Sequence, residues 1–455
     1  MKITILRLAI GIGILTPSAT IASGGTYYKN VAVILQNRCQ ACHHPGDIAP
    51  MSLMTYQEAR PWAKAIRTAV IQRKMPPWFA DARYGHFEND RSLPQAEIDA
   101  LVGWADSGAP EGNPQDAPKP IQFADGWRMG RPDAVVELPK PFQVPATGTI
   151  PYQYIVVPTG FTEDKWVQAV EVRPSNRTVV HHIIASLRPL GIGGGLPKGE
   201  YSTRLAGPGP DSVANAERRA ARANGGEPPM FGSGDLLEVF VPGGRPPVFK
   251  DGQARLVKAG SDLLFQIHYT STGKPAEDRT EIGFIFAKQP PKEQVRAGLV
   301  FNQRFTIPAR AANEQIEARA VVKRDVRLYS ILPHMHLRGK DFEFRAVYPT
   351  GESEILLKVP RYDFHWQISY YLAQPKLLPA GTVLECVGHF DNSANNPDNP
   401  DPNVDVHTGA QTWDEMLNGF LDFIVEPGTG DQEILGPVRG AASNTAAIPA
   451  ASTRP

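Results

Sequence analysis

From about residue 125 onward the chain is written in short runs that alternate apolar and polar residues, a pattern that admits little except an antiparallel β protein. Residues 150–157, 166–172, 236–241, 262–270, 313–322, 326–331, 342–348, 354–359 and 365–371 all read as strands, as expected where one face is buried. Glycine and proline, 41 and 43 of 455 residues, favour short strands and many turns over long helices. A chain of this length exceeds one ordinary core, so two or three domains are expected. The pattern predicts two antiparallel sandwiches, over 129–287 and 288–430. Residues 191–234, poor in apolar side chains, read as a long loop, and 431–455 as a disordered tail.

Histidines punctuate the strands. His334-Met-His336 follows the run 326–331. Residues two apart in an extended segment share a face, so both imidazoles can meet one ion while Met335 turns away. Two hydrogen-bonded histidines at a strand end fit the same pattern. His181-His182 are adjacent within 179–185. In a regular strand they face opposite ways, so joint binding of an ion requires a bulge or a strand end. Otherwise one is core and one surface. His268 shares a face with Leu264 and Gln266. A buried histidine needs a hydrogen-bond partner or a metal, and Gln266 is the local candidate. Met416, in Asp414-Glu-Met416, reads on residue type alone as core packing. His365, His389 and His407 read as structural.

The N-terminal stretch has a different grammar. Lys2 and Arg7, an apolar run over 8–15 and small residues around 20–22 resemble a signal peptide covering 1–23. The apolar run is short of the ~20 residues that span a bilayer. The mature protein is therefore expected in the periplasm or secreted, with no membrane span after cleavage. Three cysteines, Cys39, Cys42 and Cys386, do not make a disulfide scaffold. Cys386 reads as a buried thiol. A formal net charge of zero offers no electrostatic case for nucleic acid.

Cys39-Gln-Ala-Cys42-His43 is C-x-x-C-H, the attachment sequence of a c-type haem. Two thiols at this spacing can add to the porphyrin vinyl groups, and His43 can ligate the iron. A redox or zinc C-x-x-C is the alternative. Helices are expected over 31–38, 61–74 and 95–106. The Pro76-Pro77 break just after Met75 makes its thioether a candidate distal ligand, with Met51, Met54 and His86 as rivals. This helix–loop–helix pattern over 25–115 resembles a small, all-α class I cytochrome c, followed by a linker over 116–128.

Taken in order, His181-His182, Gln266-Ile-His268-Tyr, His334-Met-His336 and Asp414-Glu-Met416 resemble the type II copper, ascorbate-dependent monooxygenases, the family of peptidylglycine α-hydroxylating and dopamine β-monooxygenases, over about 125–430. The leading cytochrome pattern resembles a bacterial branch with a fused haem domain. The resemblance implies two jelly-roll-like sandwiches facing each other across a solvent-filled cleft, one copper on each. It implies that His181, His182 and His268 hold the electron-transfer copper, with Gln266 near it. His334, His336 and Met416 would hold the copper where oxygen meets substrate. Imidazoles suit both copper states, and a soft thioether favours Cu(I). The expected cofactors are two copper ions and one covalent haem c. The expected partners are O2, a small organic substrate and a periplasmic electron donor, either a small reductant or a redox protein. Where a peptide-amidating relative has an Arg, an Asn and a Tyr at its substrate, this chain has Leu332, Asn418 and Phe420. Leucine cannot pair with a carboxylate, so a less polar molecule is expected. A haem/copper electron-transfer protein without turnover is the alternative. A zinc hydrolase leaves the haem and Met416 without a role.

Overall fold

The structure is a computed structural model and describes residues 25–123, 126–188, 198–203, 236–241, 243–409, 411–428 and 433–438. The expected leader lies outside the described residues, as do most of the loop 191–234 and of the tail. The chain is predominantly β and divides into two compact units. No described helix is long and apolar enough to cross a membrane.

The first unit comprises the chain up to Gln40, Ser52–Met75 and Leu93–Pro120. Its helices are Ala32–Arg38, Tyr56–Ala59, Ala63–Ile71 and Gln95–Asp106. Thr55 and Glu58 start the second of these as a reciprocal capping box. Leu35, Leu101 and Trp104 are fully buried, and the Tyr27 ring lies 6.0 Å from that of Trp104. The helix expected over 61–74 is shorter. Pro61 falls in a 3-10 turn, and the helix closes where Arg73 takes a φ of 50°. Lys74 N–H then donates back to the Ala69 carbonyl at 2.9 Å, and Met75 is left in the turn before Pro76.

The second unit holds Ala41–Met51, Pro76–Ser92 and everything from Ile121. It contains a four-stranded sheet, Gln153–Pro158, Asp262–Tyr269, Val180–Arg188 and Leu236–Phe240 in spatial order. A five-stranded sheet runs Ser353–Val359, Gly339–Val347, Val383–Phe390, Glu314–Val322 and Leu435–Gly436. An eight-stranded sheet backs both. It runs Ala134–Glu137, Glu281–Phe286, Lys165–Arg173, Gln253–Val257, Glu293–Asn302, Leu417–Val425, Val326–His334 and Tyr370–Leu378. Its halves meet where Glu293 and Gln294 pair in parallel with Gln253 and Ala254. Two sandwich-like cores result, one around Ile183, Phe265 and Phe284, the other around Phe344, Leu384 and Phe423. Strand Val383–Phe390 alternates buried and partly exposed residues, the period that marks a strand with one wet face. Cys386 is fully buried on its core side, as expected.

Two expectations change. The strand read over 365–371 begins only at Tyr370. Asp363 turns the chain first, its carboxylate accepting the His365 N–H at 3.0 Å and its carbonyl the Trp366 N–H at 3.0 Å. The expected disordered tail contains an ordered piece: Leu435 and Gly436 pair with Val322 and Val321, anchored by buried Ile434.

Candidate metal centres

Strand Val180–Arg188 pairs with Asp262–Tyr269 in a register that matches Val180 with Tyr269 and His182 with His268, and shifts between them. His181 is the extra residue of that bulge. A bulge re-aims a side chain that strict alternation would send to the opposite face. The ligand nitrogens of His181, His182 and His268 consequently lie within 4.8 Å of one another. Gln266 does not hold His268. Its amide donates to the Tyr154 hydroxyl at 2.8 Å instead, because Tyr154 stands directly across the ladder from it.

His334 and His336 sit at the end of strand Val326–His334, their rings 5.2 Å apart. Met335 points away into the core, its N–H bonded to the Tyr362 hydroxyl at 3.0 Å. The Nδ1–H of His334 donates to Gln367 Oε1 at 2.6 Å, and that of His336 to the Asp414 carbonyl at 3.1 Å. Each therefore keeps its Nε2 lone pair for another partner. Met416 is buried just before the neighbouring strand Leu417–Val425. Asn418, the cross-strand partner of His334, donates to the Met416 sulfur at 3.3 Å.

Glu415 organises this strand end. Fully buried, it accepts N–H from His336 at 2.9 Å, from Arg338 at 2.6 Å and from Met416 at 3.3 Å. Burial pushes its carboxyl up to about 8, against those donors and the Arg338 charge. Arg338 is itself buried and donates to Asn392 at 2.8 Å and to the Trp413 carbonyl at 2.9 Å.

Burial lowers the imidazole pKa at every position: to about 4 at His181 and His334, to about 3 at His268, and well below the usual value at His182 and His336. All five are neutral near pH 7, the form in which imidazole binds a metal. His181 Nε2, His182 Nε2, His268 Nδ1 and His336 Nε2 are buried with no hydrogen-bond partner among the described residues. Buried polar atoms are normally satisfied, and four unpartnered imidazole nitrogens, with His181 Nδ1 and His182 Nδ1 bonded only to each other at 3.0 Å, fit a bound cation.

The two histidine groups are close. The Tyr152 ring lies 5.4 Å from His182, 4.8 Å from His268 and 6.2 Å from His336. Phe364 lies 5.3 Å from His181 and 6.0 Å from His336. Two buried aromatic rings thus stand where the family resemblance implies a solvent-filled cleft. His365 joins the rim, 5.7 Å from His181 and bonded to Asp363 at 3.0 Å. Reading by residue type missed Tyr152, Phe364, Gln367 and Glu415, since none has a spacing that distinguishes it from packing. His389 is bonded to Asp341 at 2.7 Å and His407 to Thr306 at 3.0 Å.

Leu332 and Phe420 are cross-strand partners, and both line a small, partly open pocket together with Tyr371, Ser330, Glu238, Arg245 and Asp422. Phe420 also touches the histidine pair, its ring 6.0 Å from His334.

Of the C-x-x-C-H residues, Cys39 closes helix Ala32–Arg38, its N–H on the Leu35 carbonyl at 2.9 Å. Cys42 and His43 belong to the β unit. His43 Nδ1–H donates to the Met51 carbonyl at 3.2 Å, which leaves Nε2 free to bind iron. Burial lowers the His43 pKa and raises that of the Cys42 thiol. Met75 and Met54 are half-buried in the helical unit, Met51 is half-buried in the β unit, and His86 is exposed there.

No family model and no curated protein matches this chain. Among solved structures, the VP2 subviral particle of infectious bursal disease virus is similar at 10% identity and a TM-score of 0.19, over 68% of this chain and 76% of that one. The Gt strain of the same virus gives 8% identity and a TM-score of 0.17, over 66% and 72%. Overlap this slight says nothing of function.

Proposed function

We propose that this chain is an exported copper-dependent monooxygenase of the type II, ascorbate-dependent kind. It hydroxylates a C–H bond of a small organic substrate with O2 and draws electrons through its own covalent haem c. In this reading residues 25–115, which take in the helices of the first unit and the segments Ala41–Met51 and Pro76–Ser92, are a small cytochrome c domain, and the rest of the β unit is two jelly-roll sandwiches. The observation that carries the reading is the gathering of His181, His182 and His268, with four buried imidazole nitrogens, theirs and that of His336, left without a partner among the described residues. Copper bound there supplies one-electron chemistry with oxygen, and the haem supplies a one-electron relay.

The protein's own part is positional. Gln367 and the Asp414 carbonyl fix the tautomers of His334 and His336, as outer partners of metal-binding imidazoles do. Met416 supplies a soft sulfur. The bulge aims His181 beside His182 and His268. Leu332 and Phe420 are apolar members of a pocket near His334 that Arg245, Glu238 and Asp422 also line, and Leu332 in the place of an arginine favours a substrate without a carboxylate. His43, with Cys39 and Cys42, would hold the haem, and Met75 is the proposed distal ligand.

Copper and haem analysis of the purified protein tests the architecture, with two coppers and one haem per chain expected. Oxygen uptake with formation of a hydroxylated product tests the activity. Met416→Ala is expected to abolish turnover with the haem spectrum intact, and unchanged turnover would remove Met416 from the site. One observation favours a second reading, a haem/copper electron-transfer protein. Tyr152 and Phe364 pack the space between the histidine groups, which suits passage of electrons more than entry of substrate. Reduced protein that consumes no oxygen in the presence of candidate substrates would decide for it.

A further inference from the structure

The segment that follows C-x-x-C-H is fastened to one strand at two points. Gly243, with a φ of +70°, lies against Cys42: a Cβ built there would meet Cys42 Sγ at 2.8 Å and Arg91 Nη1 at 3.3 Å. Only a residue without a side chain lets that sulfur touch the backbone. Arg91 holds the Gly243 carbonyl at 2.9 Å, and Arg128 holds the Gly244 carbonyl at 3.0 Å. The second point is Asp47, buried and paired with Arg128. It also pairs with Arg177 at 3.6 Å, whose guanidinium lies over the Phe240 ring at 5.6 Å.

Both points lead to the strand Leu236–Phe240, the edge of the four-stranded sheet. Gly244 N–H donates to the Val241 carbonyl at 2.9 Å. Val241 is bonded to Phe240, Phe240 is the register partner of Ile183, and Ile183 is bonded to His182. From the sulfur of Cys42 the path to a candidate copper ligand thus runs through one van der Waals contact, one hydrogen bond, one cross-strand step and short covalent stretches.

We infer that the edge strand Leu236–Phe240, with its turn through Gly244, is the electron conduit from a haem on Cys42 to the His181/His182/His268 site. This rests on the function proposed above and adds the route. One electron would pass from a ferrous haem held by Cys42 to a cupric ion held by His181, His182 and His268, leaving ferric haem and cuprous copper. No bond breaks and no proton moves. The clamp of Asp47, Arg128 and Arg177 keeps the contact closed.

The test uses the full-length protein carrying haem and cupric copper. A pulse of reductant is injected into the haem, and haem absorbance is followed in time. The wild type is expected to show a reoxidation phase whose rate is independent of protein concentration. Gly243→Val and Asp47→Asn are expected to lose that phase, with haem content, copper content and the cupric EPR signal unchanged. Should Gly243→Val fail to fold, Asp47→Asn decides, since it leaves the backbone at residue 243 as it is. Both outcomes support the route. Wild-type reoxidation rates in a fully loaded variant overturn it, as does reoxidation that scales with protein concentration, and either result leaves the proposed function standing. A wild type that binds no haem or no copper fails earlier, at the function itself.

Discussion

One carboxylate holds three backbone amides beside the His334/His336 pair. Removing the Glu415 side chain strands three buried N–H groups, each worth about 1–3 kcal/mol when left unpaired. Glu415→Ala is therefore expected to destabilise the protein by about 3 kcal/mol or more in denaturant unfolding, and to lower copper occupancy. Glu415→Gln keeps one carbonyl oxygen as acceptor and should lose less on both counts. The titrating groups make a second prediction, about the metal-free protein. Five histidines have folded pKa values below the ordinary 6.5. The unfolded chain therefore takes up protons first as pH falls, and stability declines below about pH 6.5. Glu415, and Glu238, which burial also raises, have folded values above the ordinary one. Their contribution is present at low pH and is lost as pH rises above about 4.5, for Glu415 through about 8. Where the windows overlap, five imidazoles outweigh two carboxyls. Thermal unfolding of copper-stripped protein should show greatest stability between about pH 6 and 7, and a monotonic rise up to pH 9 would contradict these assignments.

At the scale of elements, the His-x-His strand end depends on what backs it. A Cβ on Gly388 would meet Leu417 at 2.7 Å and the Met335 sulfur at 3.1 Å. Gly388→Ala should push Met335 out of its seat, at a cost of about 1–3 kcal/mol for overpacking, and tilt the imidazoles on either side of it. Copper titration is expected to show one site weakened and the other, at His181/His182/His268, unchanged. Loss of both sites together would mean that the two groups fold as one. The same strand end explains how far local pattern carries. Period two correctly turned His334 and His336 to one side and Met335 to the other. It also set the condition under which His181 and His182 could act together, a bulge, though not whether one would form. That depends on the partner strand, some 80 residues further along the chain, and no local pattern reports it. The run at 365–371 misled because Asp363 makes a side-chain turn that outcompetes an alternating pattern.

At the scale of the molecule, a predominantly β architecture and many of the strand positions were legible from composition and period, though the central strands Glu293–Asn302 and Leu417–Val425 were not. The pairing that fuses the two cores was not. It rests on two residues on each side, Glu293–Gln294 and Gln253–Ala254, which carry no periodic signal. The assignment of Ala41–Met51 and Pro76–Ser92 to the β unit was equally hidden, since short irregular segments without periodicity do not announce what they pack against. Candidate ligands were legible by residue type because few other roles gather histidines. The aromatic rings among them were not, because tyrosine and phenylalanine are ordinary core residues.

That two-residue seam is pegged on both sides, Gln253 to Glu293 at 2.8 Å and Arg255 to Asp422 at 2.5 Å. A single hydrogen-bonded ladder thus runs beneath both histidine groups, so their separation is set when the polypeptide folds. In the monooxygenase proposed above, timing would then fall to the arrival of electrons and reactants rather than to a swing of one half against the other.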